Sequence, residues 1–338
     1  MTTIQRQHLL VGTLCAVSAG LMWGLAFFIP KLLDGFSSIE VTLGRYAFYG
    51  MFSLGLLALR WKQLRLVTPR IWGIALLYAL AGNVGYYLLL VLGIRLAGST
   101  IATMIIATLP VTLTLYGNYV NREFPFRRLL LPVTLILLGI LTLQMAETGL
   151  SVSHSGGTAY WLGVLCAVTA LALWTWFGVS NARFLKRHQH VDSFLLITLI
   201  GVQTLVVTLL AVLVDWTLTR AFIPQLIDKP GLLPFLFYSF VLGVVVSWLA
   251  GWLWNIASSR LPVTLVGNLI VLETIFGLLY VYLYEHHLPQ PLEVLSMMVF
   301  LTGLFLAINQ HGKKARQERQ DGKRPFPPPR LRSSPPAK

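Results

Sequence analysis

Ten long apolar runs, separated mostly by short polar connections, organise this chain of 338 residues. They fall at about 9–32, 40–59, 71–93, 100–120, 128–146, 160–183, 192–214, 233–256, 262–284 and 292–309. Each is close to the roughly 20 residues that cross a bilayer. Backbone N–H and C=O groups in hydrocarbon must be satisfied within their own segment, so the pattern predicts ten membrane helices. Two connections are longer, one near 147–159 and one near 215–231 that holds Pro224 and Pro230.

A second pattern lies over the first. Gly12 to Trp23 and Gly163 to Trp174 are near copies, identical at seven of twelve positions, and each opens a long apolar run. Five helices per half is an odd number, so the second copy enters the membrane upside down relative to the first. The predicted fold is an all-α integral membrane protein with ten transmembrane helices arranged as two inverted five-helix repeats. The first repeat takes residues 1–150 and the second 151–310. Residues 311–338 are basic and Pro-rich and are expected to form a disordered cytoplasmic tail. Inverted repeats of this kind exchange conformations around a site between the halves, which makes a transporter the first functional reading.

Composition agrees with the membrane reading. Hydrophobic residues make up 56% of the chain and charged ones 11%, and a soluble fold could not bury that much apolar surface. The net charge of +14 does not indicate nucleic acid, because nine of the 26 Lys and Arg lie after Gln310 and most others flank apolar runs. With both termini inside, the inner loops and Arg6 carry twelve Lys and Arg, against Lys31, Arg95, Arg220 and Lys229 outside. That imbalance predicts N- and C-termini in the cytoplasm. Cys15 and Cys166 sit at matched repeat positions inside two helices and read as small apolar residues. No nucleotide fingerprint or zinc spacing occurs, and the adjacent His286 and His287 do not share a helical face, so no cofactor and no metal are expected.

Few polar residues lie deep in the runs. Glu273 stands near the middle of the ninth, where an acidic side chain costs roughly 2.5–3.5 kcal/mol and so should face the bundle interior. It is the strongest candidate for a proton carrier or counter-ion, with a hydrogen-bonded helix staple as the structural alternative. Gly277, Tyr280 and Tyr284 share its face, and Tyr280 could donate to its carboxyl. Lys31 and Arg45, near the outer ends of the first two helices, could attract an anionic group or pair with Asp34 or Glu40. Asn83 at mid-depth in the third helix and Asn255 in the eighth could line a cavity or bond across helix interfaces. Trp23, Trp248 and Trp252 could cage a cation or planar solute, or serve as scaffold. Pro110 should bend the fourth helix and supply a hinge.

These residues, in this order, resemble the drug/metabolite transporter superfamily, specifically its ten-helix EamA-type members. The resemblance runs from about residue 9 to 310. It rests on Trp23-Gly24 with Phe27 and Lys31, on Arg45-Tyr46, on Leu109-Pro110 followed by Glu123, and on the half-length repeat. It implies secondary transport, often export, of a small organic solute such as an amino acid or other metabolite. The expected partners are that solute, the lipid bilayer and protons as the coupling ion, and a homodimer is compatible with the chain. Many relatives bend both the fourth and ninth helices with proline, whereas alignment of the halves here puts Glu273 at the position of Pro110. Other classes fit less of the chain. An intramembrane enzyme would need a base and nucleophile or metal ligands at one depth, and a sensor or scaffold would usually carry a soluble module. A flippase of lipid-linked sugars remains an alternative within transport.

Overall fold

The computed structural model describes residues 3–320, apart from 34, 149–156, 189, 219–221 and 287. Every regular element among the described residues is helical, and ten helices follow the ten apolar runs. They are α1 (Thr3–Phe28, continued by a 3₁₀ turn Ile29–Leu33), α2 (Ser38–Leu59), α3 (Pro69–Ala97), α4 (Ser99–Ala107 and Leu109–Asn121) and α5 (Phe126–Thr148). The second half holds α6 (Thr158–Arg187), α7 (Ser193–Leu218), α8 (Leu232–Arg260), α9 (Val263–Leu269 and Leu272–Glu285) and α10 (Pro291–Gln320). All but α2 contain a stretch long and apolar enough to cross a membrane. At 22 residues α2 has the length as well, about 33 Å at 1.5 Å per residue. The boundary between the repeats falls within 149–156 and so lies outside the described residues. Helix α10 runs to Gln320, so the first ten residues of the segment expected to be disordered continue a helix, and 321–338 lie outside the described residues.

The packing repeats with the sequence. Helix α1 packs on α8 and α9, and its counterpart α6 packs on α3 and α4. Helices α2 and α7, α4 and α9, and α5 and α10 pair with each other across the halves. The near-copied segments show why their small residues matter. A Cβ on Gly12 would stand 2.8 Å from the Leu261 side chain after α8, and one on Gly163 would stand 2.5 Å from the Ala97 nitrogen ending α3. The two halves also end their fourth helices alike. Arg122 after α4 and His286 after α9 are the left-handed non-glycine residues among those described, both with φ of 51°.

Two helix pairs carry matched irregularities. Helices α3 and α8 each widen to a π-helical stretch, at Leu80–Val84 and Val241–Leu249. In α3 the Gly85 N–H reaches back five residues to the Leu80 carbonyl. A Cβ at Gly85 would stand 2.6 Å from that oxygen, so the wide turn requires glycine.

Helices α4 and α9 are both broken at mid-length. In α4, Pro110 lacks an N–H, and the Thr108 carbonyl accepts from Val111 N at 3.0 Å and Thr112 N at 3.1 Å. In α9 the break falls at Ile270–Val271, where Glu273 N donates to Ile270 O and Thr274 N to Val271 O, each at 3.1 Å. Broken-helix symmetry therefore survives without a second proline. At this break the turn tightens to i→i+3 bonds. Thr114 Oγ1 donates to Asn268 Oδ1 at 3.0 Å and ties the two broken helices together beside the break.

Burial differs between the ends of this pair. Every residue of Val263–Leu269 is buried, as are seven residues of Leu109–Asn121. Among described residues, Leu272–Glu285 buries only Gly277 and Ser99–Ala107 only Ala102. The bundle is packed shut at the end carrying Glu123 and loosened at the end carrying Lys31.

Candidate functional site

At the level of the breaks and wide turns, four helices direct polar groups toward one region. Arg45 of α2 donates from Nε to Ser247 Oγ of α8 at 2.7 Å. Ser247 is available because it lies in the π-helical stretch, where its hydroxyl donates to Leu242 O at 2.9 Å. The Arg45 guanidinium also lies over the Tyr46 ring at 5.7 Å. Glu273 of α9, in the first turn after the break, is half-buried and within electrostatic reach of Arg45. The phenol of Tyr86, just past the wide turn of α3, lies within electrostatic reach of Glu273. Arg45 and Glu273 are not in direct ion-pair contact, and no described residue donates a hydrogen bond to the Glu273 carboxyl.

Charges held this way in a partly desolvated setting lack the partners that normally offset their burial. Among the described residues Arg45 bonds only through its Nε, which leaves its terminal N–H groups over. The arrangement provides a cationic fork, a carboxyl and a phenol on three helices, within electrostatic reach of one another.

The other polar candidates are engaged by protein groups. Asn83 donates to Thr204 Oγ1 at 3.0 Å and joins α3 to α7. Asn255 is buried; it accepts from Asn181 Nδ2 at 2.7 Å and donates to Ser193 O at 3.4 Å, joining α8 to α6 and α7. The Tyr280 hydroxyl donates to Leu21 O of α1 at 2.9 Å rather than to Glu273. Lys31 pairs with Glu285 at 2.6 Å and not with Glu40, whose carboxylate takes Lys229 at 2.7 Å and Ser37 N at 2.6 Å. Asp34 lies outside the described residues. The three tryptophans separate into two groups. Trp23 meets Trp254 at 4.9 Å and Trp174 at 6.5 Å, whereas Trp248 and Trp252 meet each other and Phe194. Pro110 stands at the break of α4.

Sequence reasoning singled out neither Tyr86 nor the function of Glu123. Tyr86 is three residues from Asn83, so it shares the helical face of the amide that its mid-depth position had singled out. Glu123 caps the second half from the first. Its carboxylate accepts from Val263 N at 2.8 Å, Thr264 N at 3.0 Å and Thr264 Oγ1. Nearby, Lys186 Nζ donates to Leu261 O at 2.6 Å. Together these residues fasten α4, α6 and the α8–α9 turn at the closed end.

Ten apolar helices in two inverted halves, the fourth of each half broken at mid-length, define a membrane carrier. The comparisons narrow that class. Residues 10–145, the first five-helix half, match the model of the EamA-like transporter family. The inner membrane protein YtfF of Escherichia coli (strain K12) is 30% identical over 311 residues, covering 90% of this chain and 96% of that protein. A crystal structure sharing 17% identity superposes with a TM-score of 0.70 over 88% of this chain and 96% of its own, which supports the fold alone. The chain belongs to the EamA-like transporter family. It is a multi-pass membrane transporter and not an enzyme.

Proposed function

We propose that this protein is a secondary active transporter that exports a small organic metabolite by alternating access, with protons as the coupling ion. The observation that carries the reading is the separated Arg45 and Glu273 pair, half-buried and, among the described residues, without partners for their remaining hydrogen-bonding groups. A solute with an anionic and a cationic group, such as an amino acid, would place its carboxylate on Arg45 and its ammonium near Glu273. Tyr86 would order the solute between them, and a proton on Glu273 would replace the ammonium on the return step. Asn83, Asn255, Trp23 and Tyr280 hold the surrounding helices in position, Lys31 lies at the mouth, and Pro110 provides the hinge.

The charge distribution supports cytoplasmic termini in an inner or plasma membrane. In that orientation the Glu123 end is cytoplasmic and closed, and the loosened Lys31 end opens outward. The repeats divide at about residue 150, and a homodimer is compatible with the assembly.

The test is transport into liposomes under an imposed pH gradient, with a panel of amino acids, amines, sugars and nucleosides, on wild type and Glu273→Gln. Gradient-driven movement of one class in wild type, lost in a folded Glu273→Gln, is the expected result. Movement indifferent to the gradient in both would remove proton coupling through Glu273. No movement of any soluble compound, with a folded protein, would favour a lipid-linked cargo.

A further inference from the structure

Two connections at the Glu123 end of the bundle share one surface. Helix α2 ends at Arg60 and passes into a 3₁₀ helix, Trp61–Leu66. Helix α6 ends at Arg187 and turns through His188 and His190 into α7. Val67 and Trp72 beyond the first connection pack on Phe184, Leu185 and Val191 around the second, so both rest on a common apolar base. Arg60, Lys62, Arg65, Arg70, Arg187 and His190 are exposed. None of them forms an ion pair among the described residues. The acid within these stretches is Asp192, and its carboxylate accepts from Leu195 N at 2.6 Å. Lys186 turns away to Leu261.

Large apolar side chains stand exposed beside the cations: Leu59 is 81% exposed, Trp61 56% and Leu64 37%. Water would suit the cations and leave these side chains uncovered, and hydrocarbon would do the reverse. The headgroup boundary satisfies both, and indole rings concentrate there. Arg60 has a further feature. Its guanidinium lies over the Phe194 ring at 3.9 Å, which occupies one face and leaves the in-plane N–H fork free for two oxygens of a phosphate.

We propose that this surface is a binding site for an anionic phospholipid, with its phosphodiester on Arg60 and the neighbouring basic groups and its acyl chains along Leu59, Trp61 and Leu64. A zwitterionic lipid brings its own cation to the phosphate and gains less from uncompensated positive charge, so the site discriminates by net headgroup charge. The inference is independent of the cargo assigned above.

The experiment reconstitutes the full chain and measures association of spin-labelled phosphatidylglycerol relative to spin-labelled phosphatidylcholine. It compares wild type with Arg60→Gln/Lys62→Gln/Arg65→Gln/Arg187→Gln and with a control that removes four charges from the tail, Lys323→Gln/Arg324→Gln/Arg330→Gln/Arg332→Gln. Wild type should prefer phosphatidylglycerol by about fivefold or more. The surface variant should lose most of that preference and the control should keep it. The milder Lys62→Gln/Arg65→Gln variant should lose part of it and serves should the fourfold variant not fold. Equal loss in the control, or an unchanged preference in both surface variants, overturns the proposal. Displacement of the labelled lipid by millimolar inorganic phosphate would also overturn it, because the site would then recognise a free anion.

Discussion

Single residues in this protein take their meaning from what they leave undone. Arg45 spends one N–H on Ser247 and keeps the others, so its substitution separates binding from folding. Arg45→Gln should raise the KM for a carboxylate-bearing solute by about 10- to 100-fold, the equivalent of one charge-assisted hydrogen bond of roughly 1.5–3 kcal/mol. Arg45→Lys keeps the charge and loses the fork, and should recover part of that loss. Initial rates against solute concentration would decide it, and an unchanged KM in Arg45→Gln would remove the residue from the site. The sequence made Glu273 conspicuous because charge at such depth is costly, and Arg45 because it is a cation just inside the outer end of a span. Tyr86 could not stand out in the same way among twelve tyrosines in the chain, because a phenol becomes a site residue only when neighbouring helices bring charges to it.

Individual helices were legible as spans, but their irregularities were not. Hydropathy located all ten and placed most ends within a few residues of where they fall. Pro110 announced the break in α4, whereas the break in α9 has no proline and lies beside the Thr114–Asn268 contact, which depends on tertiary packing. The wide turn of α3 could be read only after Gly85 was seen facing the Leu80 carbonyl. Gly85→Ala should therefore force that turn open and lower stability by about 1–3 kcal/mol, measured as a drop in Tm in detergent. Gly73→Ala in the same helix, where a Cβ meets nothing within 4 Å, should be nearly neutral or slightly stabilising. Pro110→Ala restores a backbone donor beside the break and stiffens α4. Its expected signature is a lower turnover rate at an unchanged KM, and equal changes in both would mean that the proline shapes the site itself.

At the scale of the molecule, the halves are fastened unequally. Glu123 and Lys186 hold one end shut through backbone groups of the other repeat. In a Cys15→Ala/Cys166→Ala background, Tyr86→Cys should react with a membrane-impermeant maleimide from the Lys31 side only. Adding Glu123→Ala should admit reagent from the opposite side as well. Labelling from one side in both backgrounds would show that the cap stabilises α9 without governing access.

The cap also sets a schedule for biogenesis. Glu123 leaves the ribosome 140 residues before the Val263 amide that it serves, a delay of roughly 7–28 s at about 5–20 residues per second. The partners of α2 and α5 emerge in the second half too, and α5 waits for the last helix of all. The first half of the chain must therefore reside in the bilayer with its mating surfaces unoccupied, and insertion factors or lipid must shield them until translation ends.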